Sequence, residues 1–189
     1  MEKDRKLQII KTAEKRFVKH GFHKTTLDEI ARDLRIGKST IYHYFTSKED
    51  LYFSTLRWQI EQYHIQLKNI LFQEKDLVEL IKEYYNFKYT VFENYKLILT
   101  LFIHFMDETN FDEEILILKE LYLGEDNLMK GIFSKANFRF EKLNFNFSGY
   151  IVHQSWGTLI NNRINKGTDL QNGYTITELQ TEIFASLLK

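Results

Sequence analysis

Apolar positions recur along almost the whole chain at intervals of three and four residues, the period of α-helices that each bury one side. Leu7, Ile10, Ala13 and Phe17 mark a first helix over about residues 3–20, with Lys11, Lys15 and Lys19 opposite them. Gly21 followed by Phe22 predicts a left-handed cap with its hydrophobic contact. Leu27, Ile30, Ala31 and Leu34 mark a second helix, opened by Thr26 with Glu29 three residues on, the spacing of a capping box. Ala31 is small enough for a steep crossing, and Ile36 and Ile41 turn inward from a short third helix. That third helix leaves Lys38, Ser39, Thr40, Tyr42, His43 and Tyr44 outward, a set of donors, hydroxyls and amphipathic rings that suits a groove lined with phosphates.

The run from Ile36 to Leu51, IGKSTIYHYFTSKEDL, with TTLDEIA upstream, resembles the tetracycline-repressor (TetR) family of bacterial transcription regulators. The resemblance covers about the first quarter of the chain and joins the hydrophobic frame to Lys38, Thr40, Tyr42, Tyr44, Phe45 and Lys48 at the family's spacing. It implies that Thr26, Tyr42, Tyr44 and Lys48 grip phosphates while Lys38, Ser39, Thr40 and His43 lie nearest the bases. Two positions depart from the family's pattern. Arg35 stands in the turn where Gly is common, at a cost of about 1 kcal/mol if it must adopt a left-handed conformation. Gly37 stands where a capping Ser is commoner, at a cost of a few tenths of a kcal/mol.

Further along, Ser47 with Asp50 opens a fourth helix that continues through Leu56, Ile60, Tyr63, Leu67 and Ile70. Lys48 in its first turn opposes the helix dipole, which points to an outside partner, and the resemblance implies that this partner is a phosphate. Helices are expected over about residues 77–95 and 96–108, the second apolar nearly all round in LILTLFIHFM and therefore central in its domain. Residues 112–133 read as a helix interrupted near Gly124. Asn137 to Phe147 imitates a strand but has no partner strand, so it reads as loop or helix entry. Two last helices run from Phe147 to Lys166, stopped by Gly167, and from Ile176 to Leu188, opened by Thr175 with Glu178.

The fold class is thus all-α: a three-helix helix-turn-helix head over residues 1–48 and a larger helical body over 49–189. The final helix carries more apolar residues than one face needs. By resemblance, the last two helices pair with a second copy as a four-helix bundle, with Ile151, Leu159, Leu179, Ile183, Phe184 and Leu187 at the interface; packing within the chain is the alternative.

Composition supports this picture. The absence of proline and 43% hydrophobic residues suit a helical chain with a sizeable core. Net charge is zero, yet residues 1–48 hold twelve Lys or Arg against six Asp or Glu, leaving the body equally acidic; a basic head can displace counterions from DNA. Without cysteine there is no disulfide framework or thiolate metal site, and no apolar run is long enough to span a bilayer. With no signal-peptide pattern at Met1, the expected location is the cytoplasm.

Other chemistry is thin. Gly37-Lys38-Ser39-Thr40 imitates the end of a P-loop, but Arg32 stands where the motif needs glycine and no strand precedes it. His20 and His23 straddle the helix-ending Gly21 and lack a fixed carboxylate, so no metal or cofactor is expected, and no catalytic constellation appears. In the body, Tyr84, Tyr85, Phe102, Phe105 and Trp156, with His104 as a polar handle, either wall a ligand cavity or form ordinary core. The resemblance implies a homodimeric regulator, most often a repressor. Its partners would be a near-palindromic operator in double-stranded DNA, its own second copy and a small-molecule effector. The alternative is the same scaffold acting mainly through a protein partner.

Overall fold

The expected helical periods are realised as helices along nearly all of residues 2–136 and 146–164, which the computed structural model describes, and no strand occurs among them. In order they are α1 (Glu2–Lys24), α2 (Leu27–Leu34), α3 (Lys38–Tyr44), α4 (Lys48–Leu71), α5 (Leu77–Asn94), α6 (Lys96–Met106), α7 (Asp112–Lys135) and α8 (Phe147–Ile164). Helix α8 covers most of the expected Phe147–Lys166 span. The strand-like stretch up to residue 145 and the expected final helix lie outside the described residues.

By packing, the chain forms two units that differ from a linear division after residue 48. One comprises Met1–Tyr63 with Tyr95–Leu118, so α6 and the start of α7 pack with the head helices. The other comprises His64–Asn94 and the described part of Lys119–Lys189. Helices α4 and α7 each run through both.

In the first unit Ile9, Ile10, Ala13 and Phe17 of α1 meet Leu27, Ile30 and Ala31 of α2, Ile41 of α3 and Leu51, Tyr52 and Leu56 of α4 in the core. Leu7, expected inside, is 36% exposed, because Ile9 takes the inward place one turn before Ala13. Gly21 breaks α1 as expected, but with φ 75° and ψ 169° it occupies a region open only to glycine rather than the left-handed cap. The Thr25 hydroxyl donates to the freed Gly21 carbonyl at 2.8 Å.

Helix α6 is not enclosed on all sides. Leu97, Ile98 and Leu101 are buried, whereas Ile103, Phe105 and Met106 are 41–54% exposed, since the helix packs on one side only. Its N-terminus is capped from α4: the buried Gln59 Oε1 accepts from the backbone N–H groups of Leu97 and Ile98 at 2.9 and 3.1 Å. The same side chain donates through Nε2 to Glu14 of α1 at 2.6 Å. A second buried polar group, Glu114, accepts from the Tyr52 hydroxyl and the Phe111 N–H at 2.8 and 3.0 Å and lies 2.9 Å from His104 Nδ1.

In the second unit Gly124 does not interrupt α7. A Cβ there would lie 2.4 Å from His64 Cε1, so glycine lets α4 and α7 approach, and His64 Nε2 bonds the Leu121 carbonyl at 3.0 Å. The glycine serves close packing, a role that chain pattern alone confuses with a break.

Candidate nucleic-acid interface

Helix α2 starts at Thr26, as the capping-box spacing predicts. The Thr26 hydroxyl accepts from the Glu29 N–H at 3.3 Å, and Glu29 Oε2 accepts from the Thr26 N–H at 3.0 Å. The bonds that Glu29 Oε2 accepts from the Thr26 N–H and, also at 3.0 Å, from the Thr26 hydroxyl hold the Glu29 carboxyl below its usual range, with contributions from Arg16 and His20. Arg16 of α1 clasps Asp33 with two bonds of 2.6 Å, fixing α1 against the far end of α2.

The turn then closes at Arg35 with φ 55° and ψ 44°, the left-handed conformation that the resemblance, with Gly common at this place, raised as one option for a non-glycine residue. Its neighbour Ile36 donates its N–H to the Ala31 carbonyl at 3.0 Å. Gly37 caps α3 with extended backbone and no side-chain bond, as its lack of a side chain dictates.

Helix α3 is anchored by buried Ile41 and by buried Phe45 just beyond it. Lys38, Ser39, Tyr42 and His43 are exposed, Thr40 and Tyr44 half-buried, and Tyr42 keeps 50% of its surface. Residues expected at bases and at phosphates thus share one short helix and its flanks, with exposed Thr26 at the start of α2. Lys38 does not stand alone: its Nζ lies 2.8 Å from Asp28 Oδ2, which raises the ammonium above its ordinary pKa. The spacing of Asp28 and Lys38 along the chain carried no sign of this pair, because they meet only when α2 and α3 cross.

Ser47 and Asp50 cap α4 with a register shift. Asp50 N–H donates to Ser47 Oγ at 3.1 Å, while the Asp50 carboxylate reaches back to the Thr46 N–H at 2.7 Å. Lys48 is half-buried and has a partner inside the chain. Its ammonium donates to the Phe22 carbonyl at 3.1 Å and lies 4.2 Å from the Phe22 ring centroid. The unfavourable dipole position therefore does not require a phosphate to explain it: the released end of α1 supplies the compensating oxygen.

The residues named for a ligand pocket divide between the units. Tyr84, Tyr85 and Trp156 are buried in the second, around an ion pair the periodicity did not reveal. Lys88 of α5 donates to both oxygens of Glu125 of α7, at 2.9 and 3.2 Å, and Glu125 also accepts from the Tyr84 hydroxyl and from Trp156 Nε1 at 2.8 Å. Burial pushes the Lys88 ammonium down to about 8 against the raising effect of Glu125, and burial pushes the Tyr84 phenol well up. Tyr85, Lys88, Tyr89, Ser155, Thr158 and Leu159 line a small cleft here with room for about one water. Phe102, His104 and Phe105 belong to the first unit instead; Phe105 is 54% exposed and His104 faces Glu114.

Of the interface residues, Ile151 and Leu159 are buried inside their own unit and have almost no surface left for a partner. The outward stripe of α8 is Tyr150, His153, Gln154 and Gly157. Leu179, Ile183, Phe184 and Leu187 lie outside the described residues.

Residues 9–55, which build this head, match the family of bacterial regulatory proteins called the tetR family. The chain is 30% identical over 145 residues to an uncharacterized HTH-type transcriptional regulator, YerO of Bacillus subtilis, across 74% of this chain and 44% of YerO. It is 37% identical over 93 residues to the HTH-type transcriptional regulator RutR of Escherichia coli, across 48% of this chain and 42% of RutR. It therefore spans less than half the length of these curated relatives. In fold it is similar to E. coli NemR in its reduced form, with a TM-score of 0.75 over 95% of this chain and 96% of that one at 18% identity. Salmonella enterica GusR is likewise similar, at 0.70 over 97% and 94% with 15% identity. With the capping box, the left-handed turn and the outward residues of α3 all falling in the matched segment, the head of this chain is that of the tetR family of bacterial regulatory proteins.

Proposed function

We propose that the chain is a homodimeric DNA-binding transcriptional regulator, a repressor released from a near-palindromic operator by a small molecule. The observation that carries this reading is the outward face of α3. A seven-residue helix is fixed to the core by Ile41 and Phe45, yet it presents Lys38, Ser39, Tyr42 and His43 to solvent. Such a helix enters the major groove with its first turn toward base edges, while Thr26, Tyr44 and Lys48 steady the phosphates. Lys48 can serve only by sharing its ammonium with the Phe22 carbonyl.

A two-fold operator calls for two heads about 34 Å apart, or a multiple of that distance. The outward stripe of α8 is the described surface best suited to pair two copies, since its inward residues are already covered. For the effector, the aromatic residues around the Lys88–Glu125 pair are the favoured site in the second unit. A ligand entering there would have to widen the cleft between α5 and α8, and its release of DNA would be a coupling between two sites.

The test is a mobility shift on fragments selected from the source genome, repeated across salt concentrations. A shift that weakens linearly in log salt, with a slope set by several phosphate contacts, supports the reading. A chain that gives no such shift but is captured with a protein partner would favour the scaffold alternative.

A further inference from the structure

We propose that Asp28 is a specificity-determining residue of the head: it holds Lys38 away from phosphates and shares it only with a base edge that offers matching acceptors. This inference rests on the DNA-binding reading above. Lys38 is the first residue of α3, in the turn that faces base edges when such a helix docks. Its Nζ lies 2.8 Å from Asp28 Oδ2, and the side chains are 43% and 60% exposed, so the pair can open and close readily. Asp28 lies in the first turn of α2, where the helix dipole favours a carboxylate; Lys38 lies in the first turn of α3, where it disfavours an ammonium. Asp28 is thus the settled partner and Lys38 the movable one. The neighbouring acids are turned elsewhere, Glu29 to Thr26 and Asp33 to Arg16.

This geometry treats the two kinds of DNA contact differently. A paired Lys38 contributes little to the release of counterions, and moving it to a phosphate brings the bare Asp28 carboxylate close to a line of negative charge. A guanine edge offers two uncharged acceptors, O6 and N7, which can take the ammonium while it keeps its bond to Asp28. Asp28 therefore penalises contact with arbitrary sequence more than contact with the right base.

The experiment measures binding of the full chain to its selected operator and to random duplex, across salt, for wild type, Asp28→Asn, Lys38→Ala and the double variant. Asp28→Asn should tighten random-sequence binding about three- to tenfold and steepen its salt slope by about one, with a smaller gain on the operator, so the specificity ratio falls. With Lys38→Ala already present, most of that gain should vanish. Equal tightening on both DNAs, the same gain without Lys38, or no change in either overturns the proposal. A wild-type chain that binds no selected fragment overturns the DNA-binding reading, and Asp28's role with it. Asparagine keeps the size and polarity of the exposed side chain, and unchanged thermal unfolding checks that the head remains intact.

Discussion

Lys88 Nζ and Glu125 Oε1 lie 2.9 Å apart, both almost wholly buried, with the ammonium 3.2 Å from the centroid of the Trp156 ring. A charge so enclosed survives because every side of it is answered: the carboxylate below, the aromatic face above, and Tyr84 and Trp156 completing the carboxylate.

Removing one partner should be costly. Lys88→Met leaves the Glu125 charge without its cation and is expected to destabilise the chain by about 3–5 kcal/mol, measured by urea unfolding. The pH dependence has a definite sign. The folded-state ammonium is depressed to about 8, so above that pH the folded chain loses a proton that the unfolded chain still holds. Wild-type stability should therefore gain on Lys88→Met as pH rises from about 8 toward 10, the ordinary lysine range. A gap that narrows over that window would show that pairing, rather than burial, sets the proton affinity.

Gln59 ties three helices with one amide. Gln59→Leu fills the same space but takes away the side-chain acceptor of the Leu97 N–H and the donor to Glu14, and leaves the Ile98 N–H with the Tyr95 carbonyl at 3.0 Å, an expected loss of about 1–3 kcal/mol. Amide exchange at Leu97 should accelerate more than exchange in α8, which locates the loss at the start of α6.

Two backbone positions should respond in opposite directions. Gly21→Ala places a side chain at φ 75°, ψ 169°; no atom of the described residues lies within 4 Å of a Cβ there, so the cost of about 1–3 kcal/mol is backbone strain. Arg35→Gly relieves a left-handed residue and should stabilise the head by up to about 1 kcal/mol in thermal unfolding.

Lys48→Ala should reveal two roles at once. Losing the bond to the Phe22 carbonyl lowers stability by about 1 kcal/mol, and losing a phosphate contact flattens the salt dependence of DNA binding equally on every sequence. A stability loss with an unchanged salt slope would leave Lys48 as a structural residue only.

Gly157 reports on pairing through the sign of its effect. No atom of the described residues lies within 4 Å of a Cβ placed there, so Gly157→Ala should stabilise α8 by about 0.5–1 kcal/mol in a single copy. If a second copy approaches along the Tyr150, His153 and Gly157 stripe, the same change should weaken dimerisation in sedimentation measurements.

Local signals determined much of this protein from the chain alone. Thr26 and Glu29 placed the start of α2 and Gly21 the break within α1, because each depends on bonds or sterics spanning only a few residues, whereas the left-handed turn at Arg35 was expected from the resemblance alone. The outward character of α3 followed likewise from Ile41 and the polar residues around it. Tertiary structure decided what those signals could not. Gly124 permits an approach by His64 that no local pattern distinguishes from a helix break, and Phe105 stayed exposed because apolar composition does not state how many neighbours a helix will have. Lys88 and Glu125 each sit at a stripe position, Lys88 four residues after Tyr84 and Glu125 four after Leu121, a local oddity whose explanation lies on another helix. The pairs Asp28–Lys38, Lys48–Phe22 and Lys88–Glu125 are separated by 10, 26 and 37 residues. A charge can be read from its own position, but the group that neutralises it is chosen only when the helices cross.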